Sequence, residues 1–381
     1  MSCNTDHKVG HVGGILASQA EESCGCCPDR RRFLGSLAAL AAGALFPRGM
    51  LAGQFPNFDQ RRIDIHCHYA PPAWATAVSA KKSQGLFGTA NPMGPFKDWT
   101  PAKLIQLMDE AHVATSFLSI TTPGIWFGAK DSPVDQTRRL ARDCNEYGAK
   151  MRADSPGRFG QFAVLPLPDV EGSLHEVEYA LDTLKTDGCG LLSHYGEVYG
   201  QMLLGDPAFA PVFEELNRRK AIVYVHRKIS PEPYEIFGWD VHRTILSLLG
   251  RPGRGNTADS GGARYPDIRF IFSHAGGTMP FLVERTNAPT NASSAAAPNP
   301  ELDALSRFYY DTGHSNNTRT LTELKKIVPV SQIMFGTDYP YTTLLSEARG
   351  LEESGVFNDA ELRAIRFDNA LRLLPKYRPQ G

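Results

Sequence analysis

Asp64-Ile65-His66-Cys67-His68, the start of the stretch DIHCHYAPP (residues 64–72), overlaps the end of the first strand-like run of the chain, Arg62–His66. An open, doubly wound sheet places a glycine-rich, nucleotide-binding turn after its first strand, and this stretch offers none. Two histidines two residues apart stand there instead. Side chains on a strand alternate between faces, so His66 and His68 point one way and Cys67 the other, towards a helical layer where it packs. In a closed barrel of parallel strands the C-terminal strand ends ring one shallow cup, and catalytic groups sit in that cup. The stretch therefore reads as the first part of the rim of a (β/α)8 barrel.

The rest of the chain keeps that rhythm. Apolar, β-rich runs fall at Arg62–His66, Val113–Ile120, Arg158–Leu165, Cys189–Ser193, Ala221–His226, Ile268–His274, Phe308–Thr312 and Gln332–Thr337. Helical patterns lie between them at Pro101–Ala111, Val134–Ala153, Gly172–Thr186, Pro207–Lys220, Val241–Leu249 and Thr318–Ile327, and Asn358–Leu373 closes the chain. Alternating strands and helices imply βα units and a parallel sheet, and eight units imply closure into one barrel over residues 56–381. Two Gly/Ser/Ala/Pro-rich segments, 251–263 and 287–300, read as inserted mobile loops.

Ligand-type side chains recur at the strand ends. His66 and His68 close the first, His226 the fifth and His274 the sixth, and Asp338 follows the eighth. Imidazoles with a carboxylate suit zinc, or manganese as the alternative, with a position left for water or substrate. His66, His68, His226 and Asp338 are the expected ligands of one divalent ion. They already use most of its coordination sphere, so His274 is expected to move protons, with Asp311, His194 and bound water as other donors. The fourth strand run, followed by His194, contains no lysine to bridge a second ion. A carboxylate substrate wants a cationic partner, and Arg227 or Lys228 beside His226 supplies one; His194 is a further candidate contact.

Composition bounds the partners. The 381 residues are 42% hydrophobic and 21% charged with a formal net charge of -1, which argues against a nucleic-acid footprint or general attraction to anionic membranes. Arg30-Arg31-Arg32-Phe33-Leu34 precedes the mildly apolar run Leu34 to Phe46, in the pattern of a twin-arginine export signal. Residues 1–55 are thus expected to be a leader read by the twin-arginine machinery, with the folded enzyme reaching the periplasm; without such a signal the protein stays cytoplasmic. Cys3, Cys24, Cys26 and Cys27 fall in this leader, and Cys67, Cys144 and Cys189 form no disulfide framework. A homodimer stays open.

From Arg62 to Tyr377 the chain resembles the amidohydrolase-related metal enzymes of the 2-amino-3-carboxymuconate 6-semialdehyde decarboxylase type, particularly the 6-methylsalicylate decarboxylase branch. DIHCHYAPP (64–72), LGDPAFAPVFEELNRRKAIVYVH (204–226), FIFSHAGGTMPF (270–281), FGTDYPY (335–341) and NALRLLP (369–375) carry the resemblance, together with residues 159–192. It implies His66, His68, His226 and Asp338 as ligands and His274 as the residue acting on the substrate. The implied reaction is nonoxidative decarboxylation of a small aromatic or unsaturated carboxylic acid without an organic cofactor. Hydrolysis of an amide, ester or lactone on the same site, with Asp338 and His274 as the catalytic pair moving protons, is the second reading, and a non-catalytic periplasmic binding protein the third. The chain departs from the relatives at the cup mouth: it has His226-Arg227-Lys228 where they have proline after the histidine, and His194-Tyr195 where they have Asn-Tyr.

Overall fold

Runs such as Ile222-Val223-Tyr224-Val225 are branched and aromatic residues buried on both faces, which is what a strand between an inner core and an outer helical layer requires. The computed structural model describes residues 61–196, 202–228, 239–249, 264–287 and 300–378. Its strands are β1 (Arg62–His68), β2 (Val113–Ser119), β3 (Phe159–Val164), β4 (Gly188–Leu192), β5 (Ile222–His226), β6 (Arg269–Phe272), β7 (Tyr309–Asp311) and β8 (Ile333–Met334). They pair in parallel in the order β1 to β8. The expected leader and the insertion 251–263 lie outside the described residues. Of the expected loop 287–300, Asn287 and Pro300 belong instead to helices, Met279–Asn287 and Pro300–Leu305.

The ring closes through the segment after β8. The Ile65 amide donates to the Phe335 carbonyl at 3.0 Å, the Asp338 amide to His66 at 2.8 Å and the His68 amide to Tyr339 at 2.8 Å. The buried Asp64 carboxylate braces the same seam, accepting from the Thr337 hydroxyl at 2.8 Å and the Thr337 amide at 3.0 Å. The expected eighth strand, Gln332–Thr337, is therefore too long: ladder pairing with β7 stops at Met334, and the residues beyond it bond to β1, with Asp338 at a left-handed φ of 62°. The sixth strand also ends early, at Phe272, which leaves His274 in the turn beyond it.

Two apolar cores flank the sheet. The larger gathers Cys67, Trp74, Leu104, Leu165, Phe213 and Leu324, so Cys67 packs as expected. The smaller gathers Phe117, Phe162, Tyr224, Ile271 and Met334 with Ala370 and Leu371 of the C-terminal helix. Within it Phe117 stacks on Phe162 and Phe162 on Tyr224, and the Tyr224 ring meets His66 edge-on at 5.6 Å. Helix Thr318–Ile327 has the expected bounds, because Asn317 caps its first turn by accepting from the Thr320 amide. The last helical stretch is broken rather than continuous: regular turns at Asp359–Arg363 and Asn369–Leu373 flank a wider turn at 364–368. Helix Val170–Glu178 likewise gives way to a wider turn at Tyr179–Thr183.

Candidate metal centre and active site

Strand alternation and the closing seam deliver the predicted residues to one place. His66 Nε2 lies 3.2 Å from His68 Nε2, and His68 Nε2 lies 3.2 Å from both His226 Nε2 and Asp338 Oδ1. His66 Nε2 lies 3.1 Å from Asp338 Oδ1. His274 joins them: His66, His226, His274 and Asp338 each present a ligand atom within 4.8 Å of the others. All five side chains are buried.

The other ring nitrogens show what these atoms are for. His66 Nδ1 faces Asp311 Oδ1 at 2.9 Å, His68 Nδ1 faces the Ser119 carbonyl at 3.2 Å, and His226 Nδ1 faces the Arg227 carbonyl at 2.8 Å. Each partner accepts, so each Nδ1 carries the hydrogen and each Nε2 turns a lone pair inward. Lone pairs and a carboxylate oxygen packed at these spacings repel unless a cation lies among them. Separations near 3 Å are those of neighbouring ligands on one first-row ion with bonds of about 2.1 Å. The donor set fits a divalent metal.

Electrostatics point the same way. Burial works against positive charge at His66, yet Asp311 and Asp338 more than offset it and raise its imidazolium above the usual range, so the carboxylates around the ring favour a cation at this point. Burial also opposes the Asp338 carboxylate, but His66, His274 and His314 keep it ionised, well below its usual range. His226 is driven well below its ordinary value by burial and by His68, His66 and His274.

His274 is tethered in the same manner. Its Nδ1 donates to the Gly313 carbonyl at 3.0 Å and its amide to Asp311 Oδ1 at 3.2 Å, which turns Nε2 towards the other ligand atoms. Burial lowers its imidazolium to about 4. Backbone strain collects here: His274, Ala275, His314 and Asp338 have φ of 55°, 58°, 54° and 62°, the left-handed region that side chains disfavour. Gly313 is required by close approach, since a Cβ there would sit 2.4 Å from His66 Nδ1.

Arg227 and Lys228, interchangeable in the sequence, part company. The Arg227 charge acts on His274 and Tyr341, while Lys228 lies over the Trp126 ring at 4.9 Å and the Tyr195 ring at 6.0 Å. Lys228 helps line a hollow with Ile120, Trp126, Leu165, Leu192 and Tyr195, and burial lowers its ammonium to about 8. His194 is buried beside it; burial, then Lys228 and Arg243, lower it to about 3, so it is a neutral imidazole near neutrality.

Sequence reasoning passed over several supports. Asp311 named itself only as a spare proton donor, yet it accepts from His66, His274 and Gly313. Its place at the end of β7 was the available signal. Ser119 ends β2 in the same way, and its hydroxyl lies 3.1 Å from His68 Nδ1. Tyr341, whose ring meets His68 edge-on at 5.9 Å, and His314, 3.2 Å from Asp338 Oδ2, come from loops without strand periodicity.

The family profile described as amidohydrolase matches residues 63–376. A decarboxylase of Aspergillus niger is 34% identical over 343 residues, covering 83% of this chain and 88% of that protein. The 6-methylsalicylic acid decarboxylase acuB of Aspergillus aculeatus is 32% identical over 343 residues, covering 83% and 96%. Among solved structures, a dihydroxybenzoic acid decarboxylase from Polaromonas sp. JS666, with bound manganese and the inhibitor 2-nitroresorcinol, superposes with a TM-score of 0.68. It is 21% identical, with 84% of this chain and 98% of that chain covered.

Proposed function

Because the chain belongs to the amidohydrolase family, we propose that its cup removes carbon dioxide, without oxidation, from a small 6-methylsalicylate-like aromatic carboxylic acid. It is a metal-dependent carboxy-lyase. The observation that carries the reading is the convergence of the His66, His68 and His226 Nε2 atoms on Asp338 Oδ1, with His274 packed against the same cluster.

In this reading His66, His68, His226 and Asp338 hold one divalent ion. The three imidazoles favour zinc, and the manganese in the Polaromonas relative makes that ion the alternative. The ion supplies Lewis acidity that holds negative charge developing on the substrate. Arg227, whose charge reaches His274, steadies the departing carboxylate. The bond between ring carbon and carboxyl carbon breaks, its electron pair stays with the ring carbon, and that carbon takes a proton that His274 Nε2 relays from solvent. Carbon dioxide leaves, and solvent restores the proton on His274. Residues 1–55 act, in the same proposal, as a twin-arginine leader that exports the folded enzyme.

The test is metal analysis of the purified protein, followed by detection of carbon dioxide over a panel of aromatic carboxylic acids. One bound zinc or manganese and release from a hydroxylated benzoate are expected, and His68→Ala is expected to lose both. Metal-loaded protein that releases no carbon dioxide but cleaves esters or lactones overturns the assignment.

A further inference from the structure

The proposed mechanism uses Arg227 and leaves Lys228 without a task, although the fold invests in placing it. The Lys228 amide donates to Asp240 Oδ2 at 2.9 Å and to the Ser193 hydroxyl at 3.1 Å, and Ser193 donates in turn to Asp240. Asp240 is fully buried at the start of helix Trp239–Leu248, so the backbone at Lys228 is clamped.

The side chain enters a hollow whose other walls are apolar or aromatic: Ile120 from the end of β2, Leu165 from the end of β3, Leu192 from β4, Tyr195 beyond it, and Trp126 from the loop after β2. Among the described residues no aspartate or glutamate pairs with its ammonium, and only the faces of Trp126 and Tyr195 attend it. A cation drawn out of water against aromatic rings, with no anion, is a site waiting for one. Leu165, Leu192 and Trp126 make the surroundings of the ammonium apolar, so a small acidic group that reaches it makes a dry, charge-assisted contact. The hollow opens at the same strand ends as the metal centre: Ile120 follows Ser119, the partner of His68, and Lys228 lies two residues beyond His226.

We propose that this hollow is a specificity subsite, in which Lys228 binds a second acidic oxygen group of the aromatic substrate, distinct from the carboxylate that leaves. This rests on the reading of the cup as an aromatic-acid site, and binding measured without turnover separates the two.

Calorimetric titration of the metal-loaded enzyme with benzoate and with isophthalate, which adds a second carboxylate, tests it. Wild type is expected to bind isophthalate more tightly. Lys228→Met, with unchanged metal content, is expected to lose about 30-fold for isophthalate and less than about 3-fold for benzoate, as one charge-assisted contact implies. Lys228→Arg recovers part of the loss. An equal loss for both acids assigns Lys228 to the departing carboxylate and overturns the proposal; no loss for either removes Lys228 from the site. Failure to release carbon dioxide with this binding pattern intact counts against the decarboxylase reading alone.

Discussion

At the β6–β8 side of the barrel mouth, His274, Asp311 and Asp338 are buried polar groups with designated partners, and Asp311 Oδ1 alone accepts three hydrogen bonds. Across the mouth, the β2–β4 ends present Ile120, Leu165 and Leu192, and one ammonium faces them. The first side fixes atoms to fractions of an ångström, because buried lone pairs and charges tolerate few arrangements. The second fixes only a shape and a sign of charge. Chemistry and recognition are therefore separable here, and substitutions on the two sides should fail in different measurements.

The sharpest break in that comparison is at His274. His274→Asn should keep its metal, its fold and most of its affinity for a substrate analogue, while kcat falls by a factor on the order of 10²–10⁴, the contribution of a positioned acid. Loss of the ion along with activity, seen by metal analysis, would instead make His274 a ligand. Asp311→Asn comes next. The amide oxygen still accepts from His66 but without charge, so affinity for the ion, read by chelator competition, should weaken by about 10- to 100-fold. The smallest effect belongs to the apolar side. Trp126→Phe keeps a ring against Lys228 with a weaker face, and KM should rise about 3-fold with kcat and metal content unchanged, in line with a modest cation–π contribution. A drop in kcat there would show that the two sides are not separate.

How far the sequence could be read tracks the same division. The strands were legible because buried runs such as Ile222-Val223-Tyr224-Val225 leave little choice of period, and the ligands were legible because they sit at the ends of such runs. The carboxy-lyase reading was carried by the longer family motifs, since ligand spacing alone left hydrolysis open. Helix Pro72–Ser83 went unread because its alanine-rich surface buries only Trp74 and Val78, too few for a stripe. Helix Leu344–Glu353 hides behind Gly350, which helix propensity argues against but which the Asn316 backbone requires, a Cβ there lying 2.5 Å from the Asn316 carbonyl oxygen. Asp311 stood near the end of an expected strand run, but the groups it accepts from, His66 and His274, lie on other elements and no local pattern names them. The division of labour between Arg227 and Lys228 is set by Asp240 and Ser193 from other elements, and no local pattern encodes it.

The seam between the first strand and the segment after the last has a kinetic meaning. His68 and Asp338, 270 positions apart, meet only when Phe335–Tyr339 lies along β1, so the centre cannot assemble on a chain that has made most of its barrel but not shut it. Contacts of such sequence separation form late, after the cost of the long loop has been met by nearer ones. In the proposed site, tight uptake of the ion is accordingly a timestamp for the finished molecule: a nascent chain still short of Asp338 has the histidines without the carboxylate that completes the set.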